Sequence, residues 1–162
     1  MNFEGIYTPL IAPFNSDFTL NSVAMASAID LLVDTGVHGI IVAGTTGEYY
    51  AMSMKERVFL MNKVKELLND RLPMIVGTGA IRTEDSIEYA KQARIAGADA
   101  IMIATPPYAY PTGREIALHA LAIDRAANLP VILYNYPGRM SVNMDEDCLL
   151  YTSDAADDVA SV

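Results

Sequence analysis

Apolar and polar positions along this chain follow two alternating rhythms. Short apolar runs, rich in branched residues and bounded by turn formers, read as buried strands over residues 39–44, 74–79, 100–105 and 131–136. Residues 3–14 read as an opening strand and its exit loop, kept short by Pro9 and Pro13. Between these runs lie four stretches of helical period. Asn21 or Ser22 is placed to cap the first, which runs through Thr35 with Val23, Ile29, Leu32 and Val33 as its inner stripe and Gly36 as its stop. Ser53-Met-Lys-Glu56 fits a capping box for the second, which runs to about Asp70: the serine accepts from an exposed amide while the glutamate reaches back. Thr83 is placed to cap the third, with Glu84 and Asp85 in its first turn and Gly97 at its end. Thr112-Gly-Arg-Glu115 fits a second capping box and opens the fourth, to about Asn128.

Five strands thus alternate with four helices, and no good hairpin signal lies among them. That order demands crossover connections and a mainly parallel sheet. An open doubly wound sheet would favour a Gly-rich phosphate turn after its first strand, and PLIAPFNSDF has no such glycines. A closed eight-stranded barrel fits better, although it typically takes about 250 residues. The predicted fold is α/β, the N-terminal portion (about five βα strands) of a (β/α)8 TIM barrel.

Composition narrows the function. A chain of 162 residues with 52% apolar and 19% charged positions has the make-up of one globular domain. A net charge of −9 without clustered Lys or Arg argues against nucleic acid. No stretch approaches the ~20 continuous apolar residues of a membrane span, and the start is not a basic segment followed by an apolar run. The expected location is cytoplasmic, with no membrane partner. The single cysteine, Cys148, rules out an internal disulfide, and His38 and His119 lie too far apart in sequence to suggest a metal pair. His119 reads as an exposed helix residue without a role, and Met25, Met52, Met61 and Met102 as core filler.

Candidate chemistry gathers at the strand ends. Gly44-Thr-Thr-Gly-Glu48 places two hydroxyls between glycines, where they and the backbone amides can converge on a carboxylate. A second strand ends in Tyr134-Asn-Tyr-Pro-Gly-Arg139, offering a phenol that can donate and accept and a guanidinium that can grip an acid. Each has a plain competitor: a strand-to-helix turn for Thr45 and Thr46, a core or interface aromatic for Tyr134, loop packing for Tyr108 and Tyr110, and a solvated charge for Arg139.

These motifs, with Gly77-Thr-Gly79 and Thr105-Pro-Pro-Tyr108, resemble the dihydrodipicolinate synthase and N-acetylneuraminate lyase family, in order over residues 3–147. The resemblance implies a barrel aldolase that binds pyruvate or another 2-oxo acid as a Schiff base on a lysine and adds or releases an aldehyde. It implies Thr45, Thr46 and Gly47 as the carboxylate cradle and Tyr134 as proton shuttle. That shuttle works with Thr45 and with Tyr108 supplied by a neighbouring subunit, hence a homo-oligomer. Arg139 is implied as the receiver of an acidic aldehyde, as in synthase-type members; sialic acid lyases usually lack it. No metal or organic cofactor is implied. Alternatives are a 2-keto-3-deoxy sugar acid aldolase or dehydratase, an N-acetylneuraminate lyase-like enzyme, or a non-catalytic small-molecule binding barrel.

The chain also departs from the family. Its lysine comes at the end of the sixth strand, whereas no lysine follows Lys91 here, so this chain is expected to be inactive by itself. Tyr49 and Tyr50 follow the GTTGE turn where small residues are usual, and Ile11-Ala-Pro13 lacks the usual threonine before the proline. Met54, Arg57 and Ile81 stand where lysine-inhibited members carry polar groups, which argues against feedback control by lysine. From Cys148 to Asp158 the sequence resembles a frame translation of a transposase-based sequencing adapter. The expected division is a partial barrel over residues 1–147 and a non-native tail over 148–162.

Overall fold

The computed structural model describes residues 3–150. Five strands, β1 (Tyr7–Pro9), β2 (Gly39–Val42), β3 (Met74–Gly77), β4 (Ala100–Ala104) and β5 (Val131–Tyr134), form one sheet. Every neighbouring pair is parallel, and spatial order equals sequence order. Right-handed crossovers that always step the same way lay every helix on one face of the sheet. Accordingly α1 (Ser22–Asp34), α2 (Met54–Leu68), α3 (Thr83–Ile95) and α4 (Gly113–Ala127) pack side by side in sequence order, and a four-residue helix, α5 (Pro137–Met140), follows β5. This is the half-barrel that the alternation predicts. A doubly wound sheet would have reversed its strand order and used both faces.

Local signals place most boundaries. Asn21 accepts from the Ala24 amide at the start of α1, and both capping boxes form, Ser53 with Glu56 and Thr112 with Glu115. Gly36 and Gly97, past the ends of α1 and α3, take the left-handed backbone that a helix stop needs. Two expectations fail. Thr83 does not cap α3; Arg82 holds that position without a side-chain bond, and the Thr83 hydroxyl bonds His119 instead. Val23 is 80% exposed, because the inner face of α1 is set by Met25 and Ile29, with Ala28, Leu32 and Val33 beside them.

The core lies between sheet and helices. From α2 it takes Leu60, Met61, Val64 and Leu68, and from the sheet Ile40, Val42, Met74, Val76, Ile101 and Ile103. Burying each such side chain contributes about 1.5–3 kcal/mol relative to exposure. Met25, Met52 and Met61 are core residues as expected, whereas Met102 is half-buried. β3, paired on both sides, buries all four of its residues; β5, paired on one side among the described residues, leaves all four half-buried. Cys148 packs with Ile116 and Met144, its thiol donating to the Gly113 carbonyl at 3.3 Å. Burial, then the neighbouring Asp145, pushes that thiol's pKa up. The rest of the predicted tail, residues 151–162, lies outside the described residues.

Candidate active site

Parallel strands in register bring all their C-terminal ends to one rim. Thr45–Gly47 forms a single tight turn at the end of β2, with the Gly47 and Glu48 amides bonding back to the Gly44 and Thr45 carbonyls. Among the described residues the Thr45 and Thr46 amides donate to nothing, and neither do their hydroxyls. The turn is bracketed by two non-glycine residues in left-handed backbone, Ala43 (φ 54°) and Glu48 (φ 54°). Such conformations cost about 1–3 kcal/mol each and gather at functional sites. Two glycines make room for it. A Cβ on Gly77 would lie 2.4 Å from the Ala43 carbonyl oxygen, and one on Gly47 2.9 Å from that of Leu10.

Thr45 and Thr46 share a hollow of about 80 Å³ with Pro9, Ile41, Gly44, Met102 and Tyr134. Four strands contribute to it, and Tyr134 reaches it because it closes β5 opposite Ala104 at the end of β4. The Tyr134 hydroxyl has no partner among the described residues, and its ring lies edge-on to Tyr136. The result is a small, open-sided cavity with an apolar floor and three free hydroxyls, room for a few waters at ~30 Å³ each or one small acid.

The other predicted residues stand apart from this hollow within one chain. Tyr108 is 90% exposed and in left-handed backbone (φ 72°). Arg139 is exposed on α5, its guanidinium 5.5 Å from the Tyr136 ring centre. Among the described residues no three His, Cys, Asp or Glu side chains converge on a point that could hold a metal, and no helix is long and apolar enough to cross a membrane.

Two buried polar groups were not anticipated. His119 is not exposed but 6% accessible, and its Nδ1 shares a 2.9 Å hydrogen bond with the Thr83 hydroxyl. Burial pushes its pKa down, with the Ala104 backbone opposing. The pattern on α4 carried the signal, since His119 falls on the stripe of Ile116, Ala120 and Ile123. Arg57, expected only as a departure from the family, is fully buried beside a larger hollow of about 330 Å³ lined by Tyr49, Tyr50, Ile81 and Tyr89 among others. It was also legible in period, three and four residues before Leu60 and Met61 on the buried face of α2. This second hollow is the weaker candidate for chemistry, because its cation already bonds two backbone carbonyls.

Comparison with known proteins agrees with this fold. The chain is 40% identical over 139 residues to the 4-hydroxy-tetrahydrodipicolinate synthase of Bacillus subtilis, a match covering 86% of this chain and 48% of that protein. The crystal structure of a chloride-inhibited dihydrodipicolinate synthase from Acinetobacter baumannii, complexed with pyruvate, superposes with a TM-score of 0.90 at 33% identity, over 94% of this chain and 53% of that one. A sialic acid aldolase from Ruminococcus gnavus, a catalytic lysine mutant, superposes with a TM-score of 0.89 at 25% identity, over 94% and 50%. The chain spans about half the length of the curated relatives it matches. Residues 2–150 match the Dihydrodipicolinate synthetase family, and the chain belongs to it.

Proposed function

We propose that this chain carries the 2-oxo-acid cradle of a lysine-dependent, pyruvate-using lyase, most like a 4-hydroxy-tetrahydrodipicolinate synthase. The observation that carries the reading is the set of three unpartnered hydroxyls, Thr45, Thr46 and Tyr134, around one small hollow at the strand ends. In this reading the Thr45, Thr46 and Gly47 segment holds the carboxylate of pyruvate through amide and hydroxyl donors. Tyr134 moves protons while a lysine amine adds to the carbonyl carbon and the carbinolamine loses water. The iminium then takes up the electrons released when a methyl proton leaves, and the resulting enamine attacks an aldehyde. Tyr108, exposed on its loop, completes the shuttle of a neighbouring subunit, and Arg139 receives an acidic aldehyde.

Support comes from the B. subtilis relative, named as such a synthase, and from the A. baumannii structure, described with pyruvate. The R. gnavus protein is described as mutated at a catalytic lysine. The four lysines, Lys55, Lys63, Lys65 and Lys91, lie on α2 and α3 and none lines the hollow, so in this reading the amine is supplied from outside this sequence.

Two measurements test the reading. In the 15N-labelled chain, pyruvate is expected to shift the Thr45, Thr46 and Gly47 amide resonances, and Thr45→Val or Tyr134→Phe to weaken that response. With residues 1–147 joined to the second half of the B. subtilis relative, borohydride and pyruvate are expected to add the mass of one reduced pyruvate. Absence of both signals would overturn the proposal. Trapping that is indifferent to Thr45→Val and Tyr134→Phe would assign the chemistry to the other half alone.

A further inference from the structure

Arg57 is the one Lys, Arg, Asp or Glu side chain among the described residues that is fully buried. A cation in that position costs several kcal/mol unless its surroundings replace water. Among the described residues no carboxylate is bonded to it. Nη2 donates to the Gly77 carbonyl at 2.8 Å and Nη1 to the Gly79 carbonyl at 2.9 Å, while the guanidinium lies 3.4 Å from the centre of the Tyr89 ring and 5.1 Å from that of Tyr49. Two acceptors two residues apart are met by the two terminal nitrogens of one arginine fork, a fixed two-pronged geometry that the point charge of an ammonium does not reproduce. The charge is thus committed to fixing the backbone path that leaves β3.

That path bears on the turn after β2. Between the two gripped carbonyls, the Thr78 amide donates to the Met102 carbonyl at 3.0 Å, so the segment is also pinned to β4. Gly77 itself lies against the Ala43 carbonyl, close enough that no side chain fits between. Ala43 is the strained left-handed residue from which Gly44, Thr45 and Thr46 follow. A strained residue persists only when its neighbours over-determine it.

We propose that Arg57 is a positioning residue for the Thr45–Thr46 cradle: by clamping Gly77 and Gly79 it braces Ala43 and so sets the direction in which the cradle amides and hydroxyls point. The function of the cradle rests on the reading given above; the mechanical link does not.

The test compares the 15N-labelled 162-residue chain with Arg57→Lys and Arg57→Met. Both substitutions are expected to move the amide resonances of Ala43, Gly44, Thr45 and Thr46 together with those of Gly77 to Gly79, while those of α1 stay in place. Pyruvate is expected to bind the lysine variant about tenfold more weakly, equivalent to about 1.4 kcal/mol. Shifts confined to Gly77–Gly79, or a pyruvate affinity within about twofold of the parent, would overturn the proposal. So would collapse of the whole spectrum in both variants, which would assign Arg57 to general stability. If the parent chain shows no response to pyruvate, the functional reading fails, and the Ala43–Thr46 resonances still decide the role of Arg57.

Discussion

On one side of the Gly44–Gly47 turn, Thr45, Thr46 and Tyr134 line a hollow, and their hydroxyls meet no partner among the described residues. On the other side, Arg57 has two carbonyls and two aromatic rings. Both regions sit at the same end of one sheet, yet one keeps its polar atoms open and the other pairs most of them, with only the Arg57 Nε left over. A hydrogen bond made within a protein contributes about 0.5–1.5 kcal/mol, whereas a group left open near an apolar floor forgoes that gain. The open side is therefore where a ligand can replace water, and the saturated side is its frame.

The contrast is tested most severely at Gly77, where the two sides touch. Gly77→Ala is expected to cost about 3 kcal/mol in urea unfolding, since backbone must move to admit the methyl group. Gly44→Ala is expected to stay within about 0.5 kcal/mol, because its added carbon meets nothing closer than 3.6 Å at an ordinary φ of −81°. Equal losses at the two glycines would erase the distinction between frame and site.

The capping boxes belong to the saturated class. Ser53→Ala and Thr112→Ala are each expected to cost about 1 kcal/mol. Hydrogen bonds from Ser53 hold the Glu56 carboxyl below its usual pKa, and those from Thr112 do the same for Glu115. A depressed carboxyl pKa gives stability that is fully present above the unfolded value and is lost as pH falls through the folded one. The two alanine variants are therefore expected to show a shallower acid-side decline in unfolding midpoint than the parent.

His119 is a mixed case, with Nδ1 paired and Nε2 unpaired among the described residues. Its lowered pKa means the unfolded chain binds the proton first, so stability is expected to fall as pH drops below about 6.5. His119→Gln is expected to flatten that part of the profile. A profile identical to the parent's would remove His119 from the account.

The smallest effect on stability is expected on the open side. Thr46→Val and Tyr134→Phe remove hydroxyls that bond nothing among the described residues, and the unfolding free energy is expected to stay within about 0.5 kcal/mol while pyruvate binding weakens. A loss of 2 kcal/mol or more, well above the ~1 kcal/mol typical of a point substitution, would show that these hydroxyls are structural.

Most of the architecture was legible because it rests on local rules. Alternating periods, two capping boxes and glycine stops fix where each element begins and ends, and parallel pairing follows from the absence of hairpin turns. Thr45, Thr46 and Tyr134 share a hollow, as strand-end motifs suggest. Tyr108 and Arg139 do not join it within one chain, and spacing alone carries no information on that. His119 and Thr83 depart from expectation together: a threonine before acidic residues has the appearance of a cap, but a buried imidazole across the helix pair takes its hydroxyl instead. Arginines are seldom core residues, so Arg57 stands out in the sequence only as a departure from the family, although helical period places it on the buried stripe.

The strand order carries one more consequence, for how the molecule comes to exist. Each strand pairs only with its immediate neighbours in sequence among the described residues, across connections of 22 to 31 residues. Among the described residues no pairing waits for a distant partner, so the closure entropy of each of these steps stays modest. On a ribosome, the Tyr7–Val42 unit can zip together before β3 has been made, and every later strand can dock on an edge already in place.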